Sequence, residues 1–111
     1  MYKLIAIDLD GTLLNSEKRI SGENKSKLRL AMERGVKVVV CSGRVYSGAR
    51  VYAREIGSNG PLIACNGAII RDMDTERFLY SNTMSIEDSL KVIDICHSEE
   101  IYFHVYIGDT M

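Results

Sequence analysis

The sequence predicts an α/β fold built on a parallel sheet, and three observations carry that prediction. Apolar runs of strand length alternate with segments of helical periodicity. Glycines stand where the helices should stop, at Gly35 and Gly57. Each of the first three apolar runs ends in polar residues, and open α/β sheets place their chemistry outside the carboxyl ends of their strands.

The elements follow in order. Leu4–Ile7 is short, apolar and rich in β-branched residues, which predicts a strand buried in a covered sheet. It runs into Asp8-Leu9-Asp10-Gly11-Thr12 and then a polar loop over residues 15–20. Ser21 suits an N-cap, and Glu23 lies in the first turn, where the helix dipole favours an anion. Leu28, Ala31 and Met32 recur at helical spacing behind it. Residues 36–41 form a second strand ending in Ser42-Gly43-Arg44. Val45, Ala49, Tyr52, Ala53 and Ile56 mark a second amphipathic helix. Residues 62–65 are a third strand, ending in Asn66-Gly67. This β-α-β-α-β order implies parallel strands joined by right-handed crossovers. Residues 68–71 and 77–80 flank the polar turn 72–76 and read as a hairpin. Ser85 caps a third helix with Ile86, Leu90 and Ile93 on one face. Residues 101–107 alternate in part and predict a final strand, followed by a turn at Gly108-Asp109-Thr110.

Composition narrows the class. A chain of 111 residues that is 46% apolar can bury a modest core. With 14 basic against 15 acidic residues, it carries no electrostatic footprint for nucleic acid and no polybasic membrane patch. The apolar run after Met1 is broken at Asp8, too early for a signal core or a membrane span. Cys41, Cys65 and Cys96 are odd in number and widely spaced, as expected of reduced cysteines in a cytoplasmic protein.

In a parallel sheet the three strand ends share one edge, so Asp8, Asp10, Ser42, Gly43, Arg44 and Asn66 should converge. Two acids at a strand end point to a hard-cation site, a nucleophile, or both. Phosphoryl transfer needs such a set: a carboxylate to attack phosphorus, an acid/base beside it, and hydroxyl and N–H donors for the equatorial oxygens. Simpler readings stand beside these: Ser42 as a helix N-cap, Arg44 as a surface ion-pair residue, and Asn66 as a turn residue. His97 and His104 follow no core strand end and read as structural or surface residues. Asp72, Asp74 and Glu76 lack the glycine and terminal glutamate of a calcium loop and read as a solvated hairpin tip. Cys96-His97 has no second pair to complete a zinc site.

The run from Asp8 to Leu14 closely resembles the first motif of haloacid dehalogenase-like phosphatases. Val39-Val40-Cys41-Ser42-Gly43-Arg44 resembles their second motif, and with Cys65-Asn66-Gly67-Ala68 the pattern is similar to the Cof-type branch. The resemblance implies a partial doubly wound, Rossmann-like core over residues 1–81 and the start of an inserted α/β cap over residues 82–111. It implies Asp8 as nucleophile and magnesium ligand. Asp10 would be the general acid/base, offering its backbone carbonyl to the same ion. Gly11 would let the backbone approach phosphate, Ser42 and the Gly43 N–H would bind phosphoryl oxygens, and Arg44 and Asn66 would shape the substrate site. The cofactor implied is Mg²⁺ and the substrate a small phosphorylated metabolite.

The family pattern also needs a lysine and a distal acidic pair, and nothing after Tyr80 resembles them. The expectation is therefore an N-terminal portion of a longer phosphatase. Its first strand would have a free side open to self-association or to a complementing C-terminal chain. The competing function is a non-catalytic phosphate-binding or assembly module. A receiver domain would need an aspartate at the end of the third strand, where Cys65-Asn66 stands.

Overall fold

The computed structural model describes residues 2–108, and its contacts divide the chain into residues 1–81 and residues 82–111. The first unit begins with β1 (Leu4–Ile7), α1 (Gly22–Glu33), β2 (Lys37–Val40), α2 (Tyr46–Ile56) and β3 (Leu62–Ala64). It ends with a hairpin of β4 (Ile69–Arg71) and β5 (Phe78–Ser81). The second unit holds α3 (Ile86–Ser98).

β1 and β2 pair in parallel, with Leu4 opposite Lys37 and Ile7 opposite Val40. β3, β4 and β5 form an antiparallel sheet, joined to β2 through a parallel bridge between Cys41 and Ile63. The loop before β3 explains why that junction is so short. Asn59 Oδ1 accepts from Val38 N at 2.8 Å, and Ser58 Oγ donates to the Val38 carbonyl at 2.8 Å. Side chains thus satisfy the start of β2, and β3 reaches it only at the strand end that carries the site.

Ser21 caps α1 by accepting from Asn24 N at 3.1 Å, and Gly57 closes α2 in the left-handed region at φ 69°. Leu28 from α1 and Tyr46, Ala49, Ala53 and Ile56 from α2 pack on Val38, Val40, Leu62 and Ala64. A Lys25–Glu55 ion pair links α1 and α2, which therefore lie side by side on one face of the sheet. Successive right-handed crossovers between adjacent parallel strands place them there.

One face of β1 is consequently open. Leu4 is 56% exposed and Ala6 is exposed, whereas Ile5 and Ile7 pack against the core. The expectation of a strand buried on both faces is corrected: helices cover one side only, and β2 is the only strand hydrogen-bonded to β1 among the described residues.

The hairpin turn is held from within. Asp72 accepts from Asp74 N at 3.1 Å, Thr75 N at 2.8 Å and Thr75 Oγ1 at 2.8 Å. Those bonds, led by that from the Thr75 backbone, lower the Asp72 pKa below its ordinary value. The sign follows directly: the folded carboxyl binds its proton less readily than the unfolded one. Its stabilisation is present above the unfolded pKa and is lost as pH falls through the folded one. The stability difference between wild type and Asp72→Asn should shrink below about pH 4. Urea titration across that range checks it, and a constant difference would refute it.

In the second unit, Ser85 caps α3 by accepting from Asp88 N at 3.0 Å. The strand expected over residues 101–107 does not form: residues 101–106 carry no ladder. A strand requires a neighbour to take its N–H and C=O groups, and residue alternation alone does not supply one. Instead Ile101 N donates back to the Cys96 carbonyl at 2.8 Å, and the His97 and Phe103 rings meet edge-on at 5.9 Å. The turn expected at Gly108-Asp109-Thr110 lies partly outside the described residues. No helix among the described residues is long and apolar enough to cross a membrane.

Candidate active site

The site grows from the end of β1. After Ile7 the chain makes a wide turn in which Leu13 N donates to the Asp8 carbonyl at 3.2 Å and Leu14 N to the Leu9 carbonyl at 2.9 Å. Gly11 sits at φ 81° in this turn, so its own backbone demands glycine. Thr12 N donates to the Leu9 carbonyl at 3.3 Å. Leu9, Leu13 and Leu14 are buried, which drives the turn against the core and leaves Asp8 and Asp10 on the outer side.

Asp8 lines a cavity of about 260 Å³ together with Cys41, Ser42 and Gly43 from the end of β2. Ile63, Asn66 and Gly67 from the end of β3 complete the lining. The structure thus brings together Asp8, Ser42, Gly43 and Asn66. Ser42 is 5% exposed, and its Oγ accepts from Arg44 N at 3.2 Å, which leaves its proton free to be donated. Ser42 is not the cap of α2; that position is Val45, which makes no side-chain cap bond.

The turn after β3 holds the Ser42-Gly43-Arg44 loop in place. Ser42 N donates to the Ile63 carbonyl at 2.9 Å, Asn66 N to the Ser42 carbonyl at 3.1 Å, and Cys65 N to the Arg44 carbonyl at 2.9 Å. Cys65, Asn66 and Gly67 all have positive φ, at 51°, 54° and 92°. Such a run is costly for non-glycine residues and persists where surrounding bonds impose it.

Asp10 and Arg44 form a second constellation beside the cavity. Arg44 grips Asp10 as a fork, Nε to Oδ2 at 2.7 Å and a terminal guanidinium nitrogen to Oδ1 at 2.8 Å. Lys18 Nζ adds a bond to Oδ1 at 2.7 Å, and the Arg44 guanidinium lies 5.0 Å from the centre of the Tyr52 ring. The Arg44 bond first, then that from Lys18, holds the Asp10 carboxyl well below the usual carboxylate range. The Asp10 bond in turn raises the Arg44 pKa above its ordinary value. Asp10 is therefore held as an anion, and protonating it means loosening this fork.

Cys41 is the other nucleophile candidate in the cavity. Burial first, and then the Asp8 charge, pushes its thiol pKa up. The thiol form is a poor nucleophile.

Lys18 escaped the sequence reading. It lies in a polar loop at φ 58°, with no periodicity to mark it. A signal existed in Asn15, whose Oδ1 accepts from Glu17 N at 3.0 Å and Arg19 N at 2.8 Å and so folds the loop back toward Asp10.

Comparison with known proteins places this geometry in a family. The model of the haloacid dehalogenase-like hydrolases matches residues 5–111. The phosphatase YwpJ of Bacillus subtilis is 37% identical over 109 residues, covering 98% of this chain and 38% of that protein. The 5-amino-6-(5-phospho-D-ribitylamino)uracil phosphatase YwtE of the same organism is 41% identical over 110 residues, covering 98% and 37%. The crystal structure of a haloacid dehalogenase-like hydrolase from Bacteroides thetaiotaomicron superposes with a TM-score of 0.81 at 32% identity, covering 90% of this chain and 39% of that one. The chain spans less than half the length of the curated relatives it matches. The chain belongs to the haloacid dehalogenase-like hydrolase family, in its Cof-type branch.

Proposed function

We propose that this chain supplies the nucleophile and the anion-binding part of a magnesium-dependent phosphatase acting on small phosphorylated metabolites. The observation that carries this reading is the Asp8 carboxylate in one cavity with the buried Ser42 hydroxyl. The Asp8 carboxylate has no hydrogen-bond or ion-pair partner among the described residues.

The donor set suits a hard cation in part. Asp8 offers a free carboxylate oxygen, and magnesium commonly takes one or two carboxylates with the rest of its shell from water and phosphate. The Asp10 carboxylate is committed to Arg44 and Lys18, which leaves its backbone carbonyl as the second donor. No group of three His, Cys, Asp or Glu side chains gathers among the described residues, so further ligands would come from elsewhere. Magnesium, when bound, offsets the repulsion between the Asp8 carboxylate and an anionic substrate.

The chain's own groups then act in sequence. Asp8 attacks phosphorus, an acyl phosphate forms on its carboxylate, and the P–O bond to the leaving group breaks. The Ser42 hydroxyl and the Gly43 N–H hold equatorial oxygens as charge redistributes. Once its fork with Arg44 opens, Asp10 takes up a proton from solvent and passes it to the leaving oxygen; the carboxylate so regenerated takes the proton from the water that hydrolyses the acyl phosphate. The open edge of β1 is where a further strand, from the same polypeptide or a second one, would add. An odd number of widely spaced cysteines suits a reducing, cytoplasmic setting.

The second reading, a non-catalytic phosphate-binding module, is favoured by the absence of a cationic side chain among the residues lining the cavity. Hydrolysis of an aryl phosphate by this chain is the discriminating test. It is run with and without magnesium, alone and with a polypeptide carrying the remaining part of a curated relative. Magnesium-dependent turnover in either mixture supports the phosphatase. Retention of phosphate without turnover in both supports the binding module, and neither behaviour overturns both readings.

A further inference from the structure

The residue facing Gly43 explains why a glycine stands there. Gly43 is not in the left-handed region, so its backbone conformation is open to alanine. What excludes a side chain is a neighbour: a Cβ on Gly43 would lie 2.9 Å from Asn66 Oδ1, 3.4 Å from Nδ2 and 3.5 Å from Cγ. The Asn66 carboxamide occupies the space a side chain at 43 would fill. It reaches that place from a left-handed turn that Asn tolerates better than most residues. Two backbone bonds between the turn and the Ser42-Gly43-Arg44 loop, from Asn66 N to the Ser42 carbonyl and from Cys65 N to the Arg44 carbonyl, fix the distance between them.

The carboxamide has no hydrogen-bond partner among the described residues and borders the same cavity as Asp8 and Ser42. Its NH₂ group carries two donors, and the cavity has no cationic side chain in its lining. Resting on the phosphatase reading, we infer that Gly43 and Asn66 act as a pair. The missing Cβ at 43 admits the Asn66 carboxamide, which donates a hydrogen bond to an oxygen of the phosphoryl group held over Asp8.

The pair makes a prediction that neither residue makes alone. Gly43→Ala would meet only the far end of a mobile side chain, so the fold survives and the carboxamide is displaced. Asn66→Gly removes the carboxamide while keeping a residue that adopts positive φ freely. If the two act through one hydrogen bond, their effects on anion binding are not additive.

The experiment is titration of the 111-residue chain with inorganic phosphate, magnesium chloride present, followed by backbone amide NMR shifts. Wild type, Gly43→Ala, Asn66→Gly and the double variant are compared. The amide spectra themselves report that each variant is folded. Each single change is expected to weaken phosphate binding about tenfold, the order for losing one hydrogen bond to a charged group. The double variant should bind no worse than Asn66→Gly. Losses that multiply in the double variant overturn the pairing, because alanine at 43 would then act on the backbone alone. A single Asn66→Gly variant that binds as wild type overturns it as well. If wild type binds no phosphate, this inference falls, while the phosphatase reading stands or falls by the turnover assay with the complementing polypeptide. Binding by wild type with multiplying losses removes the inference alone.

Discussion

Asp8→Asn is expected to lower phosphate-ester turnover by roughly 10⁴-fold or more, the scale seen when a covalent nucleophile is removed. The amide keeps the shape of the carboxylate but cannot attack phosphorus to form the acyl phosphate. Asp8 is exposed and its carboxylate is unpartnered among the described residues, so the change should leave the thermal midpoint unmoved. A second readout separates lost chemistry from a lost site. In magnesium-free buffer the variant should bind inorganic phosphate at least as tightly as wild type, because a negative charge beside the anion has been removed. The measurement is aryl phosphate hydrolysis under whichever condition gives turnover, with both proteins side by side. A variant as active as wild type would sink the assignment of Asp8 as nucleophile.

Leu9→Ala is the largest stability effect expected from a single residue near the site. Leu9 stands between the two aspartates and faces the other way. It is fully buried, and its carbonyl accepts from Thr12 N and Leu14 N. Truncating such a leucine costs about 2–5 kcal/mol through lost burial and the cavity left behind. A small domain has only about 5–15 kcal/mol in total, so much of it would be lost. The urea midpoint should fall with little change in slope. A loss below about 1 kcal/mol would show that the turn carrying Asp8 and Asp10 is not anchored through Leu9.

The sequence made the order of elements legible because each has a local cause. Ser21 and Ser85 cap their helices, Gly57 ends α2 in the left-handed region, and polar residues at the 72–76 turn separate β4 from β5. What depends on a neighbour was not legible. Alternation over residues 101–107 suggested a strand, but no ladder forms over residues 101–106. The apolar run of β1 suggested cover on both sides, whereas both crossover helices lie on one.

The candidate site divides in the same way. The convergence of Asp8, Ser42, Gly43 and Asn66 follows from parallel strands ending on one edge, so it could be read from the strand ends. The partners of the charged groups could not. Arg44 turns to Asp10 rather than into the cavity, and Lys18 joins it from a loop whose path depends on the Asn15 side-chain bonds. Side-chain direction in irregular segments has no period, so spacing carries no trace of it.

The pairing of β1 with β2 also has a consequence in time. Leu4 meets Lys37 across the whole first crossover, whereas Ala64 meets Ile69 across a short turn. Distant pairings lose more chain entropy before they gain contacts, so they close more slowly than neighbouring ones. The antiparallel β3–β4–β5 sheet can assemble from local encounters. The cavity, drawn from three strand ends far apart in sequence, cannot. During refolding the chain should recover its hairpin before it recovers its affinity for an anion. The binding site is then a late product of folding, and its return reports completion of the core more faithfully than does the return of secondary structure.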